Sequence, residues 1–486
     1  MRTAVFRADG GQGIGMGHLV RSMALAAELG RRGWKTWLAS RHVPSLYADQ
    51  VVRSGCGLIH LSGDLDQEFA IIADALGDRA SWVVLDNYDL GSDWLERTPR
   101  IAEACLVLDD LHDRALVCEM VLNPWFVGGR SMYEGLAPGA RLLLGPSFAL
   151  TRSAFREARQ SAPDRHFGPV RRILISLGAT DPAGMTGRVV NEVRSVLPSA
   201  AIDVLLGSVA AGAAIPTGDG IHVLVDPPDV PGLMLRADLA VGAGGGMTWE
   251  RCEMGLPSLV VSVADNQVEQ SEMVAAAGAT RHMGPAADLV PGAIAAGLAG
   301  LLDPQVRRAM SERGRQLVDG LGCVRAADQM DDVSLRPATA GDMEWVWRLV
   351  NDPTVRSVSV SGDPIPWATH EAWFAARLRS EQPMLIVEVG SLEVGYVRFD
   401  TTRDGTEVSI AIDIAHRGGL GGRVLRAACD WWGARNPQSP LRARIKPDNE
   451  ASRRAFQRAG FVEQGVEGGI LTVLRSAPPG GERATK

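Results

Sequence analysis

The sequence predicts an α/β architecture of two tandem parallel-sheet domains followed by a smaller α+β domain. Three observations carry this. The chain has 486 residues, too many for one ordinary core, and at about 150 residues per domain it implies roughly three. From residue 1 to about 325, short β-branched runs alternate with Ala-, Leu- and Arg-rich stretches of helical spacing, the pattern of parallel strands covered by helices on both faces. After Asp331 the alternation stops and strands follow one another, as in an antiparallel sheet.

In chain order, TAVFR (3–7) is a strand, and a Gly-rich loop follows. A helix over 18–32 comes next, with the apolar positions Leu19, Met23, Ala26 and Ala27 on one face. KTWLAS, WVVLD and CLVLDD supply further strands. A segment rich in Arg, Pro and Ser (147–170) separates these from a second set, RRILISL, IDVLLG, IHVLV, DLAVG and SLVVSV. About ten strands, five to a side, predict Rossmann-like halves at 1–150 and 151–331 facing each other across a cleft, closed by a helix over 304–321. The third domain, 332–476, reads as SLRPAT, helices in GDMEWVWRLVND and HEAWFAARLRS, then strands LIVEV, GYVRF and EVSIAID. A Gly-rich turn, a helix over 421–433, strand LRARI and a helix over 449–459 complete it, and 477–486 is expected to be a disordered tail.

Composition excludes several functions. With 46% hydrophobic and 22% charged residues and a mean hydropathy of +0.01, the chain belongs with globular proteins. Its only lysines are Lys35, Lys446 and Lys486, and no Gly-Lys-Ser/Thr occurs. A P-loop is therefore absent, and a Schiff-base lysine is restricted to Lys35 or Lys446. The net charge of −7 divides into 30 basic and 38 acidic residues over 1–331 and 20 and 19 over 332–486. Neither part suits nucleic acid. The six cysteines, at 56, 105, 118, 252, 323 and 429, form no C-x-x-C, so neither a metal site nor a disulfide framework is expected. No apolar run reaches the length of about 18 residues that spans a bilayer, and the expectation is a cytoplasmic protein.

Two constellations in the first 325 residues carry chemistry. ADGGQGIGMGH (8–18) brings a strand through Gly15 and Gly17 to His18. No G-x-G-x-x-G fits it, which disfavours a nicotinamide enzyme. His18 stands at a helix start beyond a strand's carboxyl end, where α/β folds bind ligands. It is either a general base or a hydrogen-bonded capping histidine. Farther on, DLAVG enters Gly244, Gly245 and Gly246, then a helix with Thr248 and Glu250 in its first turn. Exposed amides there suit a diphosphate without metal or lysine. Glu250 either accepts both ribose hydroxyls or stabilises the helix dipole. Asn266 and Gln267, in ADNQ (264–267), can reach a sugar or base, or Asp265 or Asn266 can cap a helix.

The run FRADGGQGIGMGHLVR (6–21) resembles the start of the UDP-sugar hydrolases of pseudaminic acid biosynthesis, which release UDP from a 2,4-diacetamido-2,4,6-trideoxy-altropyranose. DNYDLGSDW (86–94), VLDDLHDR (107–114), LLGPSFALTRSAF (143–155), ILISLGATDP (173–182) and ADLAVGAGGGMTWERCEMGLPSLVV (237–261) extend the resemblance over nearly all of 1–325. It implies a GT-B-like pair of domains, with His18 as the catalytic histidine and Tyr88 and Asn266 in the active site. Ala179 departs from the family's usual glycine before Thr180-Asp181.

EVSIAIDIAHRGGLGGRVLRAACDWW (407–432), LRARIKPDNEASRRAFQRAGF (441–461) and SLRPATAGDMEWVWRLVND (334–352) resemble the Gcn5-related N-acetyltransferases (GNAT). The resemblance implies acetyl-CoA as cosubstrate, bound through Arg417, Gly419, Gly421, Gly422 and Asn449, with no tightly bound cofactor. Two departures stand out: the turn is one residue short, placing His416 where an arginine is usual when aligned from the helix side, and Phe456 replaces a frequent tyrosine acid. Glu407 is a candidate base for the amine, or an exposed strand acid. SVSGDPIPWATHEAWF (359–374), with Trp367 and His370, resembles the substrate side of acetyltransferases acting on UDP-4-amino-sugars.

Together these features predict a bifunctional enzyme that N-acetylates a UDP-4-amino-sugar and hydrolyses the product to UDP and free diacetamido sugar. The alternative is a GT-B glycosyltransferase acting on another acceptor, with a degenerate acetyltransferase module.

Overall fold

The computed structural model describes residues 2–476 apart from 12, 126–128, 164, 180, 182, 208–213, 360, 391, 403–404, 418–419 and 438. The chain divides into two compact units, Met1–Ala326 and Ala327–Lys486. The expected class is observed: parallel α/β sheets come first and an α+β sheet follows.

The first unit holds two sheets of one plan. The first comprises β1 (Thr3–Ala8), β2 (Lys35–Ser40), β3 (Gly57–His60), β4 (Ala80–Asp86), β5 (Ala102–Leu108), β6 (Met120–Asn123) and β7 (Arg141–Leu144). Their order is β3-β2-β1-β4-β5-β6-β7, and every pairing is parallel. The second sheet contains β8 (Arg172–Ser176), β9 (Ala201–Leu206), β10 (Ile221–Val225), β11 (Leu239–Ala243), β12 (Ser258–Ser262) and β13 (Arg281–Pro285), in the order β10-β9-β8-β11-β12-β13. Nine of these thirteen strands coincide with the segments named from the sequence. The unforeseen β3, β6, β7 and β13 have four or five residues each.

Both orders reverse direction once, between β1 and β4 and between β8 and β11. At such a reversal neighbouring loops diverge to opposite faces and leave a crevice at the strands' carboxyl ends, the usual ligand position in open α/β sheets. Helix-covered strands have both faces buried, and Val5, Val83, Val107, Ile175 and Val241 are fully enclosed. The two halves share an apolar cluster in which Trp125 and Trp249 meet with ring centroids 4.4 Å apart, joined by Ala149, Cys252 and Val318. The helix expected over 304–321 ends earlier, as Pro304–Leu317, and a further helix, Gly322–Met330, follows it. Gly320, at φ +78° between them, takes a left-handed conformation that ends helical continuity.

The second unit is built on β14 (Val333–Pro337), β15 (Met384–Val389), β16 (Leu392–Thr402), β17 (Gly405–Ile412), β18 (Leu441–Ile445), β19 (Val462–Glu467) and β20 (Ile470–Arg475). Their order is β14-β15-β16-β17-β18-β20-β19. All neighbours run antiparallel except β17 and β18. The helix Leu420–Gly433 packs Val424, Leu425, Ala428 and Trp432 into the main core with Val397, Phe399 and Val408. No helix among the described residues is long and apolar enough to cross a membrane.

Candidate functional site

The loop after β1 is closed on itself by reciprocal Gly11–Gly15 backbone hydrogen bonds of 2.9 and 2.8 Å. Gly11, Gly13 and Gly15 all have φ between +83° and +136°, a backbone that side chains oppose. This turn delivers His18 as the second residue of the helix Gly17–Arg31. Added Cβ atoms at Gly15 and Gly17 would meet nothing within 4 Å.

His18 faces the end of β4, across the reversal in strand order. Its Nδ1 lies 2.6 Å from Oδ1 of the fully buried Asp86. Asp86 also accepts from Arg21 Nε at 2.7 Å and Nη2 at 2.6 Å, and from Ser22 Oγ at 3.1 Å. Burial opposes its charge, but Arg21 and His18 hold its carboxyl well below the usual range. Being ionised, Asp86 can only accept, so the proton between the two groups is carried by His18 Nδ1. Arg21 continues to Asp110 Oδ2 at 2.5 Å, which also accepts from Tyr88 Oη at 2.7 Å. The Tyr88 ring meets His18 edge-on, centroids 4.4 Å apart. His18 and Tyr88 are thus brought together, linked by a charged chain.

Beneath them, Asp9 Oδ1 accepts from Ser40 Oγ and from the Arg41 and His42 amides, and its Oδ2 from Arg7 and Asn87. One buried carboxylate therefore ties the loops after β1, β2 and β4 together. Arg7 and Arg41 both reach Glu68, which also accepts from Trp94 Nε1.

At the reversal of the second sheet, Gly244, Gly245 and Gly246 lead from β11 into the helix Met247–Glu253. An added Cβ on Gly244 would come 2.2 Å from Ser271 Oγ, and one on Gly245 would lie 3.6 Å from Gln267 Nε2. Gln267 therefore lies against the glycine run, its Oε1 accepting from Val263 N at 3.1 Å. Asn266 is exposed in the turn Asp265–Gln267. Thr248 is buried, its hydroxyl bonded to Ala243 O and Arg251 and its amide donating to Gly245 O at 2.9 Å, so it is engaged within the fold. Glu250 Oε1 pairs with Arg152 at 3.1 Å. Gln270 Nε2 reaches Asp110 O at 3.4 Å, so the second half touches the His18 cluster directly.

In the second unit, β17 and β18 pair only at Thr406–Leu441 and Glu407–Arg442. Beyond those positions β17 continues along β16 to Ile412, and β18 along β20 to Ile445. The facing edges of 408–412 and 443–445 separate into a wedge, and unpaired strand edges present amides and carbonyls that seek partners. Glu407 stands at its apex. Gly421 and Gly422 open the helix after β17, against Ala455 and Arg458 of the helix Glu450–Arg458. Gly419 lies outside the described residues.

Other expected acetyl-CoA contacts are engaged within the fold. Arg417 Nε donates to Ile412 O at 3.0 Å, and His416 Nδ1 sits 3.0 Å from the buried Asp328. Asn449 caps its helix by accepting from Ser452 N. Phe456 is buried edge-on against Phe461. His370 is buried among Trp367, Trp373 and Phe374, its Nε2 3.0 Å from Met343 O, and burial lowers its pKa.

Sequence reasoning passed over Asp86, Arg21 and Asp110. The available signals were acids closing otherwise apolar strands, WVVLD and CLVLDD, and an arginine one helical turn after His18. Among the described residues no group of three or more His, Cys, Asp or Glu side chains could hold a metal ion.

Comparison with known proteins gives relatives for both units. The Bacillus subtilis spore coat polysaccharide biosynthesis protein SpsG is 24% identical over 349 residues, covering 68% of this chain and 98% of that protein. Acinetobacter baumannii MurG is 13% identical, covering 68% of this chain and 99% of MurG, with a TM-score of 0.47. An N-acetyltransferase from Staphylococcus aureus is 20% identical, covering 30% of this chain and 99% of that structure, with a TM-score of 0.27. Residues 332–462 match the acetyltransferase (GNAT) domain family, and in its second unit the chain carries a GNAT acetyltransferase domain.

Proposed function

We propose that the protein is a bifunctional nucleotide-sugar enzyme of pseudaminic acid-type biosynthesis, acting in the cytoplasm. Its second unit acetylates the 4-amine of a UDP-4-amino-sugar with acetyl-CoA. Its first unit hydrolyses the resulting UDP-2,4-diacetamido-2,4,6-trideoxy-altropyranose. Support comes from the GNAT domain, from a relative in polysaccharide biosynthesis, and above all from the His18–Asp86 pair at the strand-order reversal.

In the hydrolytic step His18 Nε2 takes a proton from water. The water oxygen bonds the anomeric carbon, and the bond to UDP breaks with its electron pair leaving on the diphosphate. Asp86 holds the imidazole in the required tautomer and stabilises the cation formed. The amides of Gly245, Gly246 and Met247 receive the leaving diphosphate, Glu250 and Gln267 hold the nucleotide, and Asn266 faces the sugar. The acceptor is water, and attack from the side opposite UDP inverts the anomeric centre.

In the acetyl transfer the β17–β18 wedge pairs with the amides of the coenzyme's pantetheine arm, and the first turn of Leu420–Gly433 receives its pyrophosphate. The sugar amine attacks the thioester carbonyl, Glu407 takes the amine proton directly or through water, and the thiolate leaves. A coenzyme thiol has a pKa of about 8.5, so the thiolate departs near neutral pH without the acid that Phe456 lacks.

The test supplies UDP-4-amino-4,6-dideoxy-N-acetyl-altrosamine and acetyl-CoA and follows products by mass spectrometry. The parent protein should give UDP and free diacetamido sugar, and His18→Ala should accumulate the acetylated UDP-sugar. UDP release by His18→Ala at the parent rate would overturn the assignment of the base.

A further inference from the structure

We propose that Asp110 is a sugar-contacting residue, and that its free carboxylate oxygen and the Tyr88 hydroxyl oxygen form an acceptor-only subsite beside His18 for hydroxyl or amide N–H groups of the sugar. The proposal rests on the nucleotide-sugar reading above and deepens it.

Asp110 follows β5 directly, beside the end of β4 that carries Asp86 and Tyr88. Its side chain is buried, and the fold spends two donors, Arg21 Nη1 and Tyr88 Oη, on the same oxygen, Oδ2. Oδ1 is enclosed and has no hydrogen-bond partner. A buried carboxylate oxygen left unpaired is costly, and native structures keep such groups where a ligand or water completes them. The backbone carbonyl of Asp110 takes Gln270 from the second half, so the orphaned oxygen belongs to a residue where the two halves meet. Arg114, the other nearby cation, is turned to Asp109, Asp113 and the Asn87 carbonyl.

The hydrogen-bond polarity is fixed around this point. Tyr88 has one hydroxyl proton and gives it to Asp110. Burial, with the Asp110 charge, pushes the phenol well above its ordinary pKa, so it stays protonated. Toward a ligand its oxygen can only accept. His18, with Nδ1 committed to Asp86, also accepts through Nε2 in the base role proposed above. Asp110 Oδ1 and Tyr88 Oη, on side chains joined by a hydrogen bond beside the His18 ring, are therefore left as acceptors. Hydroxyl and amide N–H groups satisfy such a set, whereas phosphate oxygens are repelled by it. The same polarity would orient the substrate, sugar toward His18 and diphosphate toward the glycine run.

The experiment measures binding by calorimetry in full-length protein carrying His18→Ala, so that the ligand persists. UDP and UDP-2,4-diacetamido-2,4,6-trideoxy-altropyranose are titrated into this background and into versions also carrying Asp110→Asn or Tyr88→Phe. Either added change should weaken the UDP-sugar by about tenfold or more and leave UDP within about twofold. Unchanged UDP-sugar binding in Asp110→Asn would mean that Oδ1 holds water only and would overturn the proposal, as would equal losses for UDP and UDP-sugar. If Asp110→Asn does not fold, Tyr88→Phe decides on the same terms. Failure of the hydrolase reading looks different: the parent would leave the UDP-sugar intact while the binding contrast persisted.

Discussion

His18 Nδ1 lies 2.6 Å from Asp86 Oδ1, although the two residues are 68 positions apart. The contact exists because β4, not β2, neighbours β1 on the side that His18 faces. It fixes the orientation of a histidine at a helix start, with Nδ1 held by Asp86.

Replacement of Asp86 by Asn should therefore lower UDP release by roughly 10²- to 10⁴-fold, the span typical of a positioned base, with the acetylated UDP-sugar accumulating. The same pair makes a statement about acid stability. Because the folded Asp86 carboxyl is held below its ordinary value, its stabilisation is full above about pH 4 and is lost only as pH falls toward the depressed folded value. Calorimetric melting between pH 7 and pH 3 should show a shallower acid decline in Asp86→Asn than in the parent.

Glu253 behaves in the opposite sense. Burial pushes its carboxyl up to about 7, against the opposing pull of the Thr151 side chain and Arg159. The folded protein then holds a proton that the unfolded chain releases above about pH 4.5, so stability should fall as pH rises from there through 7 and then level off. Glu253→Gln should remove that decline and raise the melting temperature by roughly 2–4 °C at pH 8. An unaltered pH dependence would show that the group ionises freely.

Trp125 and Trp249 lie in the apolar cluster shared by the two parallel-sheet halves, and both are nearly fully buried. Trp125→Ala should cost about 3–5 kcal/mol, read as a lower denaturant midpoint. Trp249 directly precedes Glu250, so UDP affinity should weaken in the same variant.

At the β17–β18 wedge, acetyl-CoA should slow hydrogen exchange in peptides covering 408–412 and 443–445, while Glu407→Gln should leave that protection intact. The same variant should lose roughly 10²-fold in acetylation rate at neutral pH, as expected of a lost proton acceptor. Exchange unchanged by the coenzyme would exclude the wedge as its seat.

The sequence by itself determined the alternating α/β pattern, the glycine runs at Gly11–Gly15 and Gly244–Gly246, and the position of His18 at a helix start. These are local properties: periodicity, backbone freedom and capping are written within a few residues of where they act. It also located Glu407 on its strand and Gly421 and Gly422 at the start of the following helix. The short strands β3, β6, β7 and β13 escaped it.

Only the tertiary structure decided which groups meet. Asp86, Arg21 and Asp110 acquire their roles from β1, β4 and β5 lying side by side in a parallel sheet, and parallel pairing joins segments that no local pattern connects. The wedge likewise follows from a pairing that stops after two residues, which depends on how β17 and β18 are held by their outer neighbours. The orphaned Asp110 oxygen is visible only when every donor around it has been placed, because hydrogen-bond polarity is a property of the assembled network and not of any residue within it.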